Sequence, residues 1–252
     1  MPTFRMTVAY DGTDYVGWQV QPNGPTIQAE LQDALEALVG HPVRVTGSGR
    51  TDSGVHAAGQ VAGFTVPTWR HDADVFVDAL NTRLPDSIAV LQCERAADDF
   101  HAIADAIEKT YRYHLQSGGV PCPASARNRW RVRGRGLDRN AMASAAIRLV
   151  GRHDFASFEA VGAPRQSSVR TVRELRVVPE VDPTCRRDWF RVEVTADGFL
   201  YNMVRNLVGT LVEIGRGKHS PDWIDQVLAA RDRSAAGPTA PAHGLTLWQV
   251  RY

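Results

Sequence analysis

Hydrophobic and polar residues alternate over residues 4–10, and this two-residue period predicts a β-strand. The period then changes, because apolar residues recur every three or four positions over residues 27–39, which predicts an amphipathic helix. Thr26 can cap the start of this helix, and Gly40 can end it. The further elements predicted in the first half are a strand at 43–46, a strand at 57–66, a helix at 73–82 and a strand at 88–94.

The second half shows a similar succession of patterns. A strand at 110–116 is followed by a helix that begins at Asp138 or Asn140, reaches Val150 and is closed by Gly151. The later predicted elements are strands at 171–178 and 189–195, a helix at 199–215, a helix at 221–230 capped by Ser220, and a strand at 245–252.

The similar order of elements in the two halves suggests an internal duplication. We therefore expect a mixed α+β (α/β) protein of two similar domains, each a sheet with helices on one face. The predicted domains are residues 1–105 and residues 106–252. A cleft between two such domains is a natural binding site.

The composition is that of a globular protein without membrane-spanning segments. Hydrophobic residues make up 43% of the 252 residues, enough to form a core, and no run of about 18 apolar residues is present. The first residues lack the apolar core of a signal peptide. The three cysteines, Cys93, Cys122 and Cys185, lie far apart and favour a reducing cytoplasm over a disulfide framework.

Positive charge is concentrated in one segment, although the net charge is only +1. Residues 127–139 hold six arginines and a single acid, Asp138, with Trp130 among them. The candidate phosphate ligands are Arg127, Arg129, Arg131, Arg133 and Arg135. Such a cluster can neutralise phosphates and stack a base, which indicates RNA contact. A solvated charged loop or an edge strand is the alternative interpretation.

The segment GSGRTDSGVHA, residues 47–57, is the most informative part of the sequence. It places Arg50, Asp52 and His56 in a glycine-rich loop between two predicted strands, where catalytic groups often lie. Glycine allows the backbone to approach a ligand closely. Two alternatives remain open: Asp52 caps its own turn, and His56 is a buried structural histidine.

Arg205 borders the apolar stripe of the helix predicted at 199–215, with Tyr201 one turn below it. An arginine at the edge of a core keeps its charge and needs an acidic partner, unless its head group reaches water. Asp52 is a candidate partner if this helix borders the cleft. A charge pair there would hold the carboxylate ionised.

Aromatic residues form two further groups. Tyr111 and Tyr113 alternate in KTYRY and therefore share one face of a strand, where Tyr111 is either a core residue or a platform for base stacking. Residues 9–19, AYDGTDYVGWQ, combine two acids with three aromatic rings. This favours turn formation and packing over metal binding, because no third ligand lies at a suitable spacing. Motifs for ATP, NAD or structural zinc are absent, so the sequence favours neither a cofactor nor a metal.

Four segments, in the same order, resemble the TruA family of tRNA pseudouridine synthases. They are YDGTDYVGWQ, GRTDSGVHA, KTYRY and FLYNMVRNLVGTLVEIGRG, and the closing residues 244–247 are also similar. The resemblance spans residues 8–247, and four long motifs in order are highly specific. It implies a cytoplasmic homodimer that uses no cofactor or metal. Its expected reaction is the conversion of uridine to pseudouridine at positions 38, 39 and 40 of the tRNA anticodon stem-loop.

The resemblance also implies roles for single residues. Asp52 falls on the catalytic aspartate, which is expected to be the nucleophile, although a carboxylate there can also stabilise or deprotonate the sugar. Tyr111 falls on the tyrosine that packs on the target base, and Arg205 on the arginine that pairs with the aspartate. Arg50 falls on an arginine close to the target nucleotide. Leu245, in the closing motif, is expected to contact the substrate.

One departure from the family pattern is visible: the chain has Ile103-Ala104 where an Arg-Phe pair is usual. A positive charge and a ring are therefore missing from this segment, which weakens the expectation of RNA contact there. Three alternatives to the assignment remain. They are an RNA-binding protein that does not depend on Asp52, a hydrolase that uses Asp52 and His56, and a synthase that acts on other uridines.

Overall fold

The structure is a computed structural model that describes all residues except 70, 135, 161, 163–166 and 182–187. Contacts divide the chain into two compact units: unit 1 comprises Met1–Ile107 and Thr246–Tyr252, and unit 2 comprises Glu108–Leu245. The sequence grouped the closing strand with the second half, but this strand pairs with a strand of unit 1. The domain boundary predicted between residues 105 and 106 stays a prediction.

Helices and strands are both well represented, which confirms the mixed α+β class. The strands in the described residues are β1 (Thr3–Tyr10), β2 (Thr46–Gly47), β3 (His56–Thr65), β4 (Ile88–Arg95), β5 (Glu108–Ser117), β6 (Trp130–Val132), β7 (Gly151–Asp154), β8 (Val169–Glu180), β9 (Asp188–Ala196) and β10 (Leu245–Arg251). The α-helices there are α1 (Ile27–Val39), α2 (Val75–Asn81), α3 (Arg139–Ile147), α4 (Met203–Gly215) and α5 (Trp223–Ala230).

Unit 1 is built on a sheet in which β1 lies between β3 and β4 and is antiparallel to both. Strand β2 pairs with β3 in the antiparallel sense, and β10 pairs with it in the parallel sense, with Thr246 opposite His56. Three rings join the sheet to α2, because the centroids of Phe4, Phe64 and Phe76 lie 5.0 to 5.5 Å apart. This packing supports β3, the strand that follows residues 48–55.

Unit 2 is built on a sheet in which β9 lies between β5 and β8 and is antiparallel to both. Strand β7 extends this sheet beyond β8, and the short strand β6 pairs in parallel with β5. Helix α4 contacts α3 and β5. Every residue of α4 is buried except Arg205, so this helix is the centre of the unit 2 core. Among the described residues, no helix combines the length and apolar character that crossing a membrane requires.

Helix α1 confirms the capping predicted from sequence. The side chain of Thr26 accepts a hydrogen bond from the backbone N–H of Ala29, and Gly40 ends the helix in the left-handed conformation, with φ of 80°. The buried members of its apolar stripe are Ile27, Leu31 and Leu35. Cap and stripe therefore act together to determine where the helix begins, ends and faces.

The strand predicted at 43–46 is wrong, because only Thr46 belongs to a strand. The side chain of Gln28 donates to the carbonyl oxygen of Val45 at 2.7 Å. The amide oxygen of Gln32 accepts from the N–H of Val45 at 3.2 Å. Since side chains of α1 satisfy the backbone of Val45, this residue is buried without a neighbouring strand.

Three helix ends also differ from the prediction. Helix α3 stops at Ile147 rather than residue 150, because tight turns of the i to i+3 type follow it. Helix α4 begins at Met203 rather than residue 199, because Asn202 adopts the left-handed conformation. Helix α5 begins at Trp223, whose N–H donates to the carbonyl oxygen of Ser220 in a turn, so Ser220 is not its N-cap.

Candidate active site

The loop of residues 48–55 connects β2 to β3 and carries Asp52, whose side chain is half-buried. Asp52 forms an antiparallel bridge with Gly17, and the N–H of Trp18 donates to the carbonyl oxygen of Thr51 at 3.0 Å. Gly17 has a φ of 116°, and a Cβ there would lie 2.8 Å from the carbonyl oxygen of Thr51. Only glycine fits at this contact, so the backbone beside Asp52 is held closely.

A buried hydroxyl pair lies beneath the same loop. The hydroxyls of Tyr10 and Thr51 are 2.8 Å apart, and Tyr10 is 5% exposed. Burial raises the pKa of Tyr10 to about 12, despite the opposing effect of the Thr51 hydrogen bond. The phenol therefore stays protonated at neutral pH and can serve as a permanent hydrogen-bonding partner of the loop.

Gln60 holds the beginning of the loop from β3. Its amide oxygen accepts from the Ser48 hydroxyl at 2.6 Å, and its amide nitrogen donates to the carbonyl oxygen of Gly49 at 2.9 Å. Gln60 and Ser48 are both fully buried. Both polar ends of the amide are thus used, which is the condition for burying it at little cost.

His56 faces the turn at residues 11–13. Its Nδ1 lies 3.1 Å from the N–H of Gly12 and 3.1 Å from an oxygen of Asp11, so the ring tautomer decides which of them it binds. Asp11 also accepts from the backbone and hydroxyl of Thr13. These contacts confirm the turn interpretation of residues 9–19, and they agree with a structural His56, which is 7% exposed.

Arg50 is exposed in the loop that carries Asp52. Tyr111 lies on β5 in unit 2, is 8% exposed and meets the ring of Phe199 edge to face, with centroids 5.0 Å apart. Tyr113, on the same face of β5, is fully buried and donates from its hydroxyl to the carbonyl oxygen of Pro241 at 2.7 Å. Tyr113 is therefore a core residue, and Tyr111 is slightly more exposed than Tyr113.

Arg205 is the third residue of α4 and is held on two sides. Its Nη1 donates to the side-chain oxygen of Asn202 at 2.7 Å, and its Nε donates to the carbonyl oxygen of Ala240 at 2.8 Å. Burial raises the pKa of Tyr113, and the nearby charge of Arg205 opposes this shift. Both of these acceptors are neutral oxygens. The predicted pair with Asp52 stays a prediction.

Leu245 is buried, with 6% exposure, at the start of β10. The turn that carries Ile103 and Ala104 is closed by His101, whose Nδ1 accepts from both of their N–H groups at 3.2 Å. The side chain of Ile103 is 55% exposed. Within the described residues, no three acidic, histidine or cysteine side chains lie together as metal ligands would.

The arginines predicted to bind RNA have different environments. Arg129 is 11% exposed and donates to Glu180 at 2.7 Å and to the carbonyl oxygen of Leu115. Arg131 donates to the carbonyl oxygen of Gly119. Arg127 and Arg133 are exposed, and Arg135 lies outside the described residues. Part of the segment forms β6, so the edge-strand interpretation is confirmed for Trp130–Val132.

Residues 233–241 also form the surroundings of Arg205, which the sequence pattern did not predict. The hydroxyl of Thr239 donates to the amide oxygen of Asn206 at 2.7 Å, and the N–H of Gly237 donates to the hydroxyl of Thr210 at 2.9 Å. The N–H of Ala240 donates to the backbone oxygen of Arg205 at 3.1 Å. The two glycines, Gly209 in α4 and Gly237 in the loop, were the available signal of this close approach.

A family model described as tRNA pseudouridine synthase matches residues 6–103 and 145–252. The two matches include Asp52 and Arg205, whereas Tyr111 lies between them. The similar proteins include tRNA pseudouridine synthase A of Exiguobacterium sp., of Moorella thermoacetica and of Myxococcus xanthus, which are 46%, 46% and 44% identical to this chain. The alignments cover 100% of this chain and 98%, 100% and 92% of those proteins, respectively. The chain therefore belongs to the tRNA pseudouridine synthase family, whose members are isomerases.

Proposed function

We propose that this protein converts uridine to pseudouridine at positions 38, 39 and 40 of the tRNA anticodon stem-loop. Membership of the family supports the reaction and the tRNA substrate. The positions rest on the resemblance of the four sequence motifs to the TruA family. The observation that carries the proposal is the structure of the GRTDSG loop. Gly17, Trp18 and Tyr10 lie outside this loop and bind its residues at and next to Asp52.

The reaction is an internal rearrangement of one nucleotide. The bond between N1 of uracil and C1′ of ribose breaks, and a bond between C5 and C1′ forms. C5 loses a proton and N1 gains one, so atoms and electrons balance within the substrate and water. A carboxylate beside C1′ can attack it as a nucleophile, or it can stabilise or deprotonate the sugar. Asp52 supplies this carboxylate in the proposal.

The target uridine must leave its stacked position before a carboxylate can reach its sugar. Arg50, exposed beside Asp52, is proposed to contact the phosphate or the place that the base leaves. Tyr111 is proposed to stack on the uracil, since its ring is held edge to face by Phe199 and presents a polar tip. Leu245 is proposed as an apolar contact of the same nucleotide.

The proposal includes a charge pair between Asp52 and Arg205 in the active enzyme. Asn202 and Ala240 orient the guanidinium through neutral oxygens, which leave its positive charge uncompensated by those two contacts. A positive charge next to Asp52 would keep the carboxylate ionised at neutral pH. An ionised carboxylate is required for each of the mechanisms considered.

The proposal has three further parts: the contact with tRNA phosphates rests on the charge pattern, the cytoplasm on the cysteines, and the homodimer on the family resemblance. The exposed Arg127 and Arg133 and the neighbouring Arg131 are proposed to contact tRNA phosphates, together with Arg135. The protein is proposed to act in the cytoplasm. It is also proposed to be a homodimer, which sedimentation equilibrium of the purified chain would test.

The deciding experiment measures tritium released to water from tRNA transcripts labelled at C5 of uracil. Wild-type protein should release tritium, and Asp52→Asn should release none while it binds tRNA within a few-fold of wild type. Asp33→Asn is the matched control, because Asp33 is an exposed carboxylate on α1 of the same unit. This variant should behave like wild type.

Two outcomes would contradict different parts of the proposal. Full activity of Asp52→Asn would remove Asp52 from the mechanism. Release that persists from transcripts without uridine at positions 38, 39 and 40 would show that the target lies elsewhere. Tight tRNA binding without any release by wild type would favour an RNA-binding protein that performs no isomerisation.

A further inference from the structure

The residue before helix α4 has an unusual conformation. Asn202 lies in the left-handed region, with φ of 58° and ψ of 8°. Among the described residues, Arg231 is the other non-glycine with positive φ. This conformation costs a residue with a Cβ about 1 kcal/mol, although asparagine tolerates it better than most. The structure keeps this conformation at the entrance to the most deeply buried helix of unit 2.

Asn202 lies at the N-cap of α4, but its side chain does not cap the helix, although asparagine is among the best capping residues. Its backbone oxygen accepts from Asn206 as an N-cap residue should, but its side chain makes no capping hydrogen bond. The side-chain oxygen accepts instead from Nη1 of Arg205, at 2.7 Å. A side-chain cap is worth about 1 kcal/mol. The helix lacks this stabilisation, because the side-chain oxygen of Asn202 accepts from Arg205 instead.

The second hydrogen bond to the guanidinium comes from a loop that cannot move away easily. A Cβ on Gly209 would lie 1.7 Å from the carbonyl oxygen of Pro238, so this loop lies directly on α4. Ala240 is bonded to Arg205 twice, through its N–H to the backbone oxygen of Arg205 and through its own oxygen to Nε. Of these two contacts, the one at Nε is made to a backbone oxygen, and the one at Nη1 is made to the side chain of Asn202.

Two hydrogen bonds at different nitrogens define the direction of a planar guanidinium. Ala240 defines the position of Nε, and Asn202 defines the rotation that places Nη1. Both acceptors are neutral, so they orient the charge without neutralising it.

We propose that Asn202 is a positioning residue for the isomerisation, acting through the orientation of Arg205. The inference rests on the proposed function, because it assigns Arg205 a task in that reaction. Asn202 adopts a strained conformation and gives up its capping bond so that its oxygen can hold Nη1. A small misplacement of a charged group can lower a rate strongly without changing substrate binding.

The variant Asn202→Gly tests this proposal with little risk to the fold, because glycine adopts the left-handed conformation freely and lacks only the acceptor. We expect kcat for tritium release to fall about 10-fold or more, with KM and the thermal midpoint close to wild type. The control is Arg231→Gly, which relieves the other left-handed residue. The side chain of Arg231 is 69% exposed and pairs with Asp154. Its kcat should stay within about twofold of wild type.

A double-mutant cycle separates positioning from a general structural effect. In an Arg205→Lys background the guanidinium is absent, so adding Asn202→Gly should lower kcat by less than about twofold. Equal losses in both backgrounds, or an unchanged kcat of Asn202→Gly alone, would overturn the inference while the proposed function stands. A wild-type protein that releases no tritium would refute the proposed function, and the inference with it.

Discussion

The surroundings of Arg129 and of Arg205 show two ways in which one protein uses a partly buried arginine. Arg129 donates to the carboxylate of Glu180, and its guanidinium stacks over Trp189 with its central carbon 4.2 Å from the ring centroid. Arg205 donates to the amide of Asn202 and the carbonyl of Ala240. The first arginine has its charge neutralised and its face covered. In the second, the two hydrogen bonds from Nε and Nη1 go to uncharged oxygens.

A buried ion pair such as Arg129–Glu180 stabilises only as long as both partners are present, because removal of one leaves the other desolvated. A neutral acceptor orients a guanidinium without opposing its charge. We therefore expect Glu180 to affect the stability contributed by Arg129, and Asn202 to affect the orientation of the Arg205 guanidinium.

The largest effect that would sharpen the comparison is expected at Arg205. The variant Arg205→Gln removes the charge, and we expect kcat for tritium release to fall about 100-fold or more, as for other electrostatic groups in active sites. Arg205→Lys keeps a charge but cannot form the same two hydrogen bonds, so its kcat should lie between that of Arg205→Gln and that of wild type. A wild-type rate in Arg205→Gln would remove Arg205 from the reaction.

The corresponding change at Arg129 should affect stability rather than rate. Arg129→Gln leaves Glu180 with His114 and a more distant Arg191, so we expect a loss of about 2 kcal/mol, below the range for breaking a fully buried pair. Urea unfolding followed by tryptophan fluorescence would measure it. Arg133→Gln, an exposed change in the same segment, should alter stability by less than about 0.5 kcal/mol. Equal effects of the two variants would break the comparison.

The ion pair also predicts an acid-sensitive part of the stability. Burial alone would raise the pKa of Glu180, but the hydrogen bonds and charges of His114 and Arg129 outweigh it and lower the pKa to about 2, from 4.5. A group with a depressed folded-state pKa contributes stability above its unfolded pKa and loses it as the pH falls toward the folded value. The urea concentration at the unfolding midpoint of wild type should therefore decrease as the pH is lowered from 5 to 2. It should fall less steeply in Glu180→Gln.

The smallest effect is expected from Arg131 and Arg133, which lie in the same segment as Arg129. Replacing Arg131 and Arg133 by Ala should weaken tRNA binding, and each lost phosphate contact should reduce the slope of log K against log salt by about 0.7 to 0.9. Fluorescence anisotropy at several salt concentrations would measure this slope. A slope identical to that of wild type would show that these arginines do not contact phosphates. Their role would then be structural, like that of Arg129.

Sequence patterns predicted local elements well where the signals are local. The cap and stripe of α1 were predicted correctly, since Thr26 and Gly40 act on neighbouring backbone. The strand at 43–46 was wrong because the backbone of Val45 is satisfied by glutamines of α1, a contact that no local pattern shows. The start of α4 was wrong because Asn202 is left-handed, which the apolar period of residues 199–215 does not show.

The sequence by itself determined the family and the candidate residues of the site, because the motifs around Asp52, Tyr111 and Arg205 are contiguous and specific. Only the tertiary structure decided how these residues are supported. The hydroxyl of Tyr10 lies under Thr51 although the two are 41 residues apart in the chain, and the carbonyl of Ala240 lies beside Arg205 across 35 residues. Such contacts depend on close packing between distant segments, and that packing is not encoded in any single stretch of sequence.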